Sequence, residues 1–213
     1  VESTFADIHE NFYVFTLRDD FSGFFFARPQ KSKSALDSLQ SFQEIIQEVG
    51  VGVPGIIRSD QGGEFEREFS AWTRAMGITR EFGIPYRPTS DGRHERVHLE
   101  MNQAVRALLL QAGLPKTFWS YAIRYWETVY NHFQNAELPQ SRSHKNEESA
   151  NEIPDNPCEM KNGGRPCSCH DKIFQIFGEW PLFGAQALYL NTDNMPGGSK
   201  FESRARPGVV LGI

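Results

Sequence analysis

The sequence has little cysteine, no long apolar run and no excess of positive charge, and each shortage argues against a class of protein. Three cysteines among 213 residues, Cys158, Cys167 and Cys169, do not suit a secreted disulfide framework and favour a reduced, intracellular setting. No stretch of about 18 apolar residues is present, so a membrane-spanning helix is not expected. The formal net charge of −5 argues against a protein that simply coats nucleic acid.

The two ends of the sequence lack the features of a complete chain. The start, VESTFADIHE, has neither an initiator methionine nor the basic and apolar regions of a signal sequence. The end, PGVVLGI, stops on an apolar run without a polar tail. We therefore expect a soluble segment of a longer polypeptide.

Apolar patterning over residues 1–135 alternates between the periods of strands and helices. Strands are predicted at 11–17, 24–28, 51–60 and 78–84. Helices are predicted from Ser34 to Gly50, over 65–76, from about Arg93 to Ala112, and after Pro115. Two hairpin strands followed by alternating helices and strands predict an α/β domain with a mixed sheet.

The remainder of the chain differs in composition and in apolar periodicity. Residues 136–172 are polar and without periodicity, which predicts a partly disordered linker. Apolar runs return at 173–213 and predict a small β-rich segment. The cysteines end in the run C-S-C-H at His170, but their spacing does not match the common zinc-ligand patterns, and we assign no zinc site to them.

The stretch RSDQGGEF, residues 58–65, places a carboxylate at a position where α/β proteins commonly have a functional site. Asp60 ends a run predicted to be a buried strand, and open α/β sheets place their sites at the carboxyl ends of strands. A buried carboxylate requires a partner such as a cation. Gly62 and Gly63 would let the backbone turn sharply and leave space beside Asp60. The alternative is that Asp60 only caps the following helix.

A second carboxylate, Glu95, begins the long predicted helix. On a helical wheel it points away from the apolar stripe of Val97, Met101 and Leu108. It shares its face with His98, Asn102 and Arg106, which could lie along a phosphate backbone. A solvated helix face is the alternative. Residues 74–106 hold six arginines against four acids, and two hard carboxylates suit Mg²⁺ or Mn²⁺.

Several motifs in matching order closely resemble the integrase core of copia-type LTR retrotransposons. They are DDFSGFFFARPQKSKS, RSDQGGEF, GITREFGIPYRPTSDGRHER and ALLLQAGLPKTFWSYAIRYWETVYN, with KFESRARPGVVLGI resembling the element beyond the core. The match spans about residues 12–133 and is far more specific than a lone Asp-Gly-Gly. Three positions depart from the family pattern: Gln61, Asp91 and His94.

The resemblance implies a ribonuclease-H-like, mixed five-stranded sheet flanked by helices, with a metal-binding acidic triad. Asp60 and Glu95 match its second and third members. The first member belongs on the first strand, and Asp7 is the only aspartate before the turn at Asp19 and Asp20. Asp7 is therefore the candidate; otherwise the residue precedes Val1 or has been lost.

The resemblance also implies an activity and its partners. A polynucleotidyl transferase would hold two Mg²⁺ or Mn²⁺ ions, process DNA 3′ ends and join them to target DNA. Joining two ends requires at least a dimer, and integration implies the nucleus, after a stage in a cytoplasmic particle. No membrane partner is expected. The implied DNA contacts are Arg58, Arg87, Arg93, Arg96, His98, Asn102 and Arg106.

Two other functions remain open at this point. The chain could be a decayed or domesticated nucleic-acid-binding or assembly module that keeps the fold without the chemistry. It could also be a transposase or nuclease of the same fold, although the LPKTFW and PGVVLGI motifs favour the integrase.

Overall fold

The fold is taken from a computed structural model that describes residues 2–50, 52–60, 62–82, 92–132, 182–190 and 205–211. The predicted linker at 136–172 lies outside the described residues, as does most of 173–213. The predicted domain boundaries therefore stay predictions.

Within the described residues, strands and helices follow the predicted order. The strands are β1 (Tyr13–Arg18), β2 (Phe25–Gln30), β3 (Ile56–Ser59), β4 (Thr79–Phe82), β5 (Gln186–Leu190) and β6 (Ala205–Val209). The helices are α1 (Ala35–Val49), α2 (Arg67–Ala75), α3 (Gly92–Ala112) and α4 (Trp119–His132), and short 3₁₀ turns at Gly63–Phe65 and Lys116–Phe118 precede α2 and α4.

The described strands pair two by two. β1 and β2 are antiparallel, with Tyr13 opposite Gln30, and β3 and β4 are parallel, with Ile56 opposite Thr79. β5 and β6 form a third, antiparallel pair. The expected five-stranded sheet is therefore not one continuous ladder in the described part of the chain. The first two pairs are held together by side-chain packing, because both contribute to one apolar cluster around Phe42 of α1.

The ends of α1 follow from local sequence. The Ser34 hydroxyl accepts a hydrogen bond from the Asp37 backbone N–H at 3.1 Å and so caps the first turn. Gly50 ends the helix in the left-handed conformation, with φ of 67°, which glycine adopts without strain. Both positions confirm the predicted helix.

A second apolar cluster joins α3 and α4 to β2. Val97 and Met101, from the predicted stripe of α3, are buried there, and Phe25 of β2 is fully buried with its ring 5.5 Å from that of Trp126. At the edge of β2, the Asn131 side chain accepts from the Phe25 N–H at 2.8 Å and donates to the Phe25 carbonyl at 2.7 Å. The amide thus takes the place of a neighbouring strand at this point of β2.

A buried ion network crosses the same interface. Arg28 of β2 donates to Glu127 of α4 at 3.1 Å and also pairs with Glu48 of α1. Arg124 donates to the other Glu127 oxygen at 2.8 Å. Burial raises the pKa of Glu127, and the two arginines offset only part of that rise. The network has a structural role, since it joins three elements of the core.

The C-terminal segment is anchored to the helices through Phe183 and Gly184. Phe183 is buried in the cluster of α3 and α4, with its ring 5.5 Å from that of Tyr125. Gly184 has φ of 79°, and a Cβ atom at this position would overlap the side chain of Ala112. Both observations require a glycine here.

Replacing Gly184 by alanine is therefore expected to loosen this anchor, at a cost of about 1–3 kcal/mol from overpacking and backbone strain. Limited proteolysis should show faster cleavage near residues 182–190, while the rest of the core keeps its resistance. Gly63→Ala is the matched control, because a Cβ atom there would meet nothing within 4 Å. Equal cleavage of the two variants would contradict the expectation.

Candidate functional site

Asp60 is the first residue after β3, and its side chain is exposed. Its Oδ1 accepts a hydrogen bond from the Gly62 N–H at 3.2 Å, which orients the carboxylate over the turn. The prediction of a buried strand is wrong in part: Ile57 is buried, but Ile56 is 59% exposed. The reason is that β3 pairs only with β4 among the described strands. Burial therefore does not force a cation on Asp60.

The two glycines after Asp60 play different parts. A Cβ atom at Gly62 would overlap the Glu64 carboxylate, whereas one at Gly63 would meet nothing within 4 Å. The space at Gly62, expected to remain open, is thus occupied by Glu64. That carboxylate binds Lys33 at 3.0 Å and raises the pKa of the lysine, with a smaller contribution from Asp60. A positive charge therefore stands close to the Asp60 loop.

Arg58, a predicted DNA contact, lies on β3 two residues before Asp60. Its guanidinium donates to Glu81 of β4 at 3.0 Å and lies 3.6 Å from Asp20 in the turn between β1 and β2. The side chain is partly exposed, so these are surface ion pairs worth little in stability. A DNA phosphate would have to compete with both acids for this arginine.

The first turns of α3 carry most of the other predicted residues. Glu95, Arg96 and Arg106 are exposed, and Asn102 is half-buried. Val97 and Met101 face the core as expected. Arg87 and the side chain of Arg93 lie outside the described residues, so their predicted contacts remain untested.

His98 is packed inward, unlike Glu95, with which it was expected to share a face. Its Nε2 lies 2.7 Å from the Thr16 hydroxyl of β1, and its ring packs on Phe25 at 6.2 Å. The pKa of His98 is lowered to about 3, mainly by burial and to a smaller extent by the nearby His94. The ring is therefore neutral at neutral pH, which weakens it as a phosphate contact.

His94 was noted in the sequence only as a departure from the family pattern. Its Nε2 lies 3.3 Å from the same Thr16 hydroxyl, and its ring centroid is 4.3 Å from that of His98. The signal in the sequence was the run His94-Glu95-Arg96-Val97-His98, in which two histidines four residues apart share one helix face. Thr16 could not be found in this way because it is far away in sequence.

Asp7, the candidate first carboxylate, lies in the segment before β1 and not on a strand. Its oxygens accept three hydrogen bonds of 2.7–2.9 Å, from the His9 N–H and from both the backbone and the side chain of Asn11. Burial raises the pKa of Asp7, but the surrounding donors, those of Asn11 and His9 among them, outweigh it and lower the pKa. The neighbouring Ile8 N–H donates to Thr117, just before α4. Such an arrangement is typical of a carboxylate that stabilises a turn, here the one between Asp7 and Asn11.

Asp7→Asn is therefore expected to destabilise the fold by about 1–3 kcal/mol at neutral pH, because an amide cannot accept all three hydrogen bonds. The folded pKa is lowered, so the stability that the carboxylate adds is present above its ordinary pKa of 3.8 and is lost as pH falls below it. Urea unfolding of both proteins at decreasing pH should show the difference shrink in that range. Glu44→Gln, an exposed acid on α1, is the control; equal stability of the two variants at pH 7 would contradict a structural role.

The carboxylates have the chemistry for a hard metal ion, although the described residues do not form a complete metal site. Asp60 and Glu95 present exposed oxygen ligands, which suit Mg²⁺ or Mn²⁺. Across the parts of the chain that the structure describes, no group of three His, Cys, Asp or Glu side chains could hold a metal. Each carboxylate has the oxygen chemistry that such an ion prefers, and further ligands have to come from elsewhere.

Comparison with known proteins identifies the class. The order of elements matches the ribonuclease-H-like α/β fold of integrase catalytic cores, as the solved structures below show. Residues 4–88, which include β1 to β4 and Asp60, match the family model of the integrase core domain. This part of the chain is therefore similar to the integrase core domain, and the related sequences below are Pol polyproteins of retrotransposons and viruses.

The related sequences are Pol polyproteins from plants and viruses. The chain is 32% identical over 116 residues to the retrovirus-related Pol polyprotein from transposon TNT 1-94 of Nicotiana tabacum, covering 54% of this chain and 9% of the relative. It is 29% identical over 116 residues to that from transposon RE1 of Arabidopsis thaliana, covering 54% and 8%. The Pro-Pol polyprotein of feline foamy virus is 29% identical over 99 residues, covering 46% and 8%. This chain thus spans less than a tenth of these relatives.

Solved structures agree on the fold. The catalytic core domain of BIV integrase superposes with a TM-score of 0.50 at 22% identity, covering 75% of this chain and 88% of that one. A chain of the simian T-cell lymphotropic virus intasome, in complex with PP2A regulatory subunit B56 gamma, gives 0.56 at 19% identity, covering 95% and 64%. At these identities the likeness shows the fold alone, and it confirms the predicted ribonuclease-H-like class.

None of the described helices is long and apolar enough to cross a membrane.

Proposed function

We propose that this chain is the catalytic core of a retrotransposon integrase, a metal-dependent enzyme that processes DNA 3′ ends and transfers the strands to target DNA. The observation that carries the proposal is two exposed carboxylates: Asp60, inside the stretch that matches the integrase core domain, and Glu95, seven residues after the end of that stretch. Asp60 stands at the carboxyl end of β3, and Glu95 stands in the first turn of α3. Asp7 is left out of the proposed site because its oxygens are engaged by the chain's own donors.

Asp60 and Glu95 are the residues that would hold Mg²⁺ or Mn²⁺. The metal would supply charge stabilisation to the phosphodiester and activation of the attacking hydroxyl. The chain itself contributes orientation: the Gly62 N–H fixes the Asp60 carboxylate, and Lys33, paired with Glu64, keeps a positive charge near the loop. The amino-terminal turn of α3 is a favourable place for the negative charge of Glu95.

The DNA would approach along the exposed side of α3. Arg96 and Arg106 are exposed there and would contact phosphates, with Asn102 beside them. Arg58 would contribute after releasing Glu81 or Asp20. We further propose that the enzyme acts as at least a dimer, because two DNA ends are joined, and that it works in the nucleus.

The test is a strand-transfer assay on the polypeptide extended upstream of Val1, with a labelled duplex that carries the element's terminal sequence. Joined products are expected with Mn²⁺ and none after chelation with EDTA. If the extended protein binds DNA but joins none, the decayed nucleic-acid-binding module is the better description. Cleavage of DNA without joining would instead indicate a nuclease of the same fold.

A further inference from the structure

The histidine pair on α3 forms a polar cluster that the proposed integrase chemistry does not use. His94 and His98 lie one turn apart and direct their Nε2 atoms at one oxygen, the Thr16 hydroxyl of β1, at 3.3 and 2.7 Å. Phe25 covers both rings from the core side, at 6.1 and 6.2 Å. Two imidazole nitrogens thus converge at the junction of a helix and a strand.

We propose that His94 and His98 bind one divalent transition-metal ion of the Zn²⁺ class between their Nε2 atoms. Nitrogen ligands lie about 2.0–2.1 Å from zinc, so two that share an ion are at most about 4.2 Å apart. Both Nε2 atoms lie within 3.3 Å of one oxygen, so a small rotation of the two rings can bring both nitrogens to one ion. Histidines at i and i+4 of a helix are a recurrent pair of zinc ligands.

The chemistry of the ligands selects the metal. Imidazole nitrogen favours Zn²⁺, Cu²⁺ or Ni²⁺ over Mg²⁺, which prefers oxygen. The Thr16 hydroxyl has a single proton, so it can donate to only one of the two rings at a time. The metal replaces this shared hydrogen bonding.

The run has the spacing His-Glu-x-x-His, which is also found in zinc peptidases. Such enzymes use three protein ligands, and the described ranges contain no third His, Cys, Asp or Glu at this pair. The remaining coordination positions would be filled by water or by an exogenous group. Because Glu95 follows His94 directly, a metal on the pair would fix the turn that carries Glu95 against β1.

The experiment is calorimetric titration of the chelator-treated, full 213-residue chain with Zn²⁺ in excess Mg²⁺, with Co²⁺ absorption as a second readout. One ion per chain is expected. His94→Gln and His98→Gln should each weaken binding at least tenfold, whereas His132→Gln, a histidine at the end of α4, should not. Urea unfolding curves show whether each variant is folded. If His98→Gln does not fold, the result for His94→Gln, in the first turn of α3, decides.

Three further variants separate this site from others. Asp60→Asn and Glu95→Gln should leave Zn²⁺ binding unchanged, so the proposal can fail or stand independently of the integrase mechanism. Cys167→Ser/Cys169→Ser should also leave it unchanged. The proposal is overturned if His94→Gln binds Zn²⁺ as the wild type does, or if binding disappears in the cysteine variant instead.

Discussion

Glu95→Gln and Asp60→Asn are each expected to lower strand transfer by about 100-fold or more, with the fold intact. Each substitution removes one negative oxygen from the metal, whose stabilisation of charge in the transition state amounts to several kcal/mol. Both side chains are exposed, so neither change leaves a buried group without its partner. Rates of product formation with Mn²⁺ in the upstream-extended polypeptide provide the measurement.

Matched controls make this result specific. Glu100→Gln removes an exposed acid from the same helix, and Glu68→Gln removes one from the first turn of α2. Both should keep activity within about threefold, since exposed charges away from a site contribute little. The double variant Asp60→Asn/Glu95→Gln should be scarcely worse than either single one, because the two residues act as a unit. Single variants as active as the controls would refute the proposed mechanism.

Asn131→Ala is expected to have the largest effect on stability among the polar substitutions considered. Asn131 is 2% exposed, and its amide satisfies both the N–H and the carbonyl of Phe25. Alanine leaves both backbone groups buried without a partner, each at a cost of about 1–3 kcal/mol. We expect a total loss of roughly 2–6 kcal/mol, measured as a lower urea midpoint by tryptophan fluorescence.

Asn131→Asp distinguishes this hydrogen-bonding role from simple packing. The aspartate keeps an acceptor for the Phe25 N–H but turns a second oxygen towards the Phe25 carbonyl, so it should be at least as destabilising as alanine. Gln103→Ala, an exposed amide on α3, is the control and should change stability by less than about 0.5 kcal/mol. A loss below 1 kcal/mol for Asn131→Ala would show that water replaces the amide at the edge of β2.

The prediction of a metal site rested on different kinds of information for its three carboxylates. RSDQGGEF and the motif around Glu95 are local and occur in the order of a known family, so Asp60 and Glu95 could be singled out. Asp7 was chosen by elimination, as the only aspartate before the first turn. Its role is set by neighbours, since Asn11 and the start of α4 surround it, and only the folded chain brings α4 there.

The amino-acid sequence alone predicted the order of the helices and strands in the first part of the chain and the resemblance to integrase cores. Ser34 and Gly50 bound α1 by local capping, and the spacing of Val97 and Met101 set the buried face of α3. Such features depend on neighbours within a few residues, which a sequence displays directly.

Only the tertiary structure decided the burial and the partners of the site residues. It left Asp60 exposed, filled the space at Gly62 with Glu64, and brought Thr16 to His94 and His98 from 78 and 82 residues away. The physical reason is that exposure and hydrogen-bond partners depend on how helices pack on strands. Those contacts join distant parts of the chain and leave no periodic trace in the sequence.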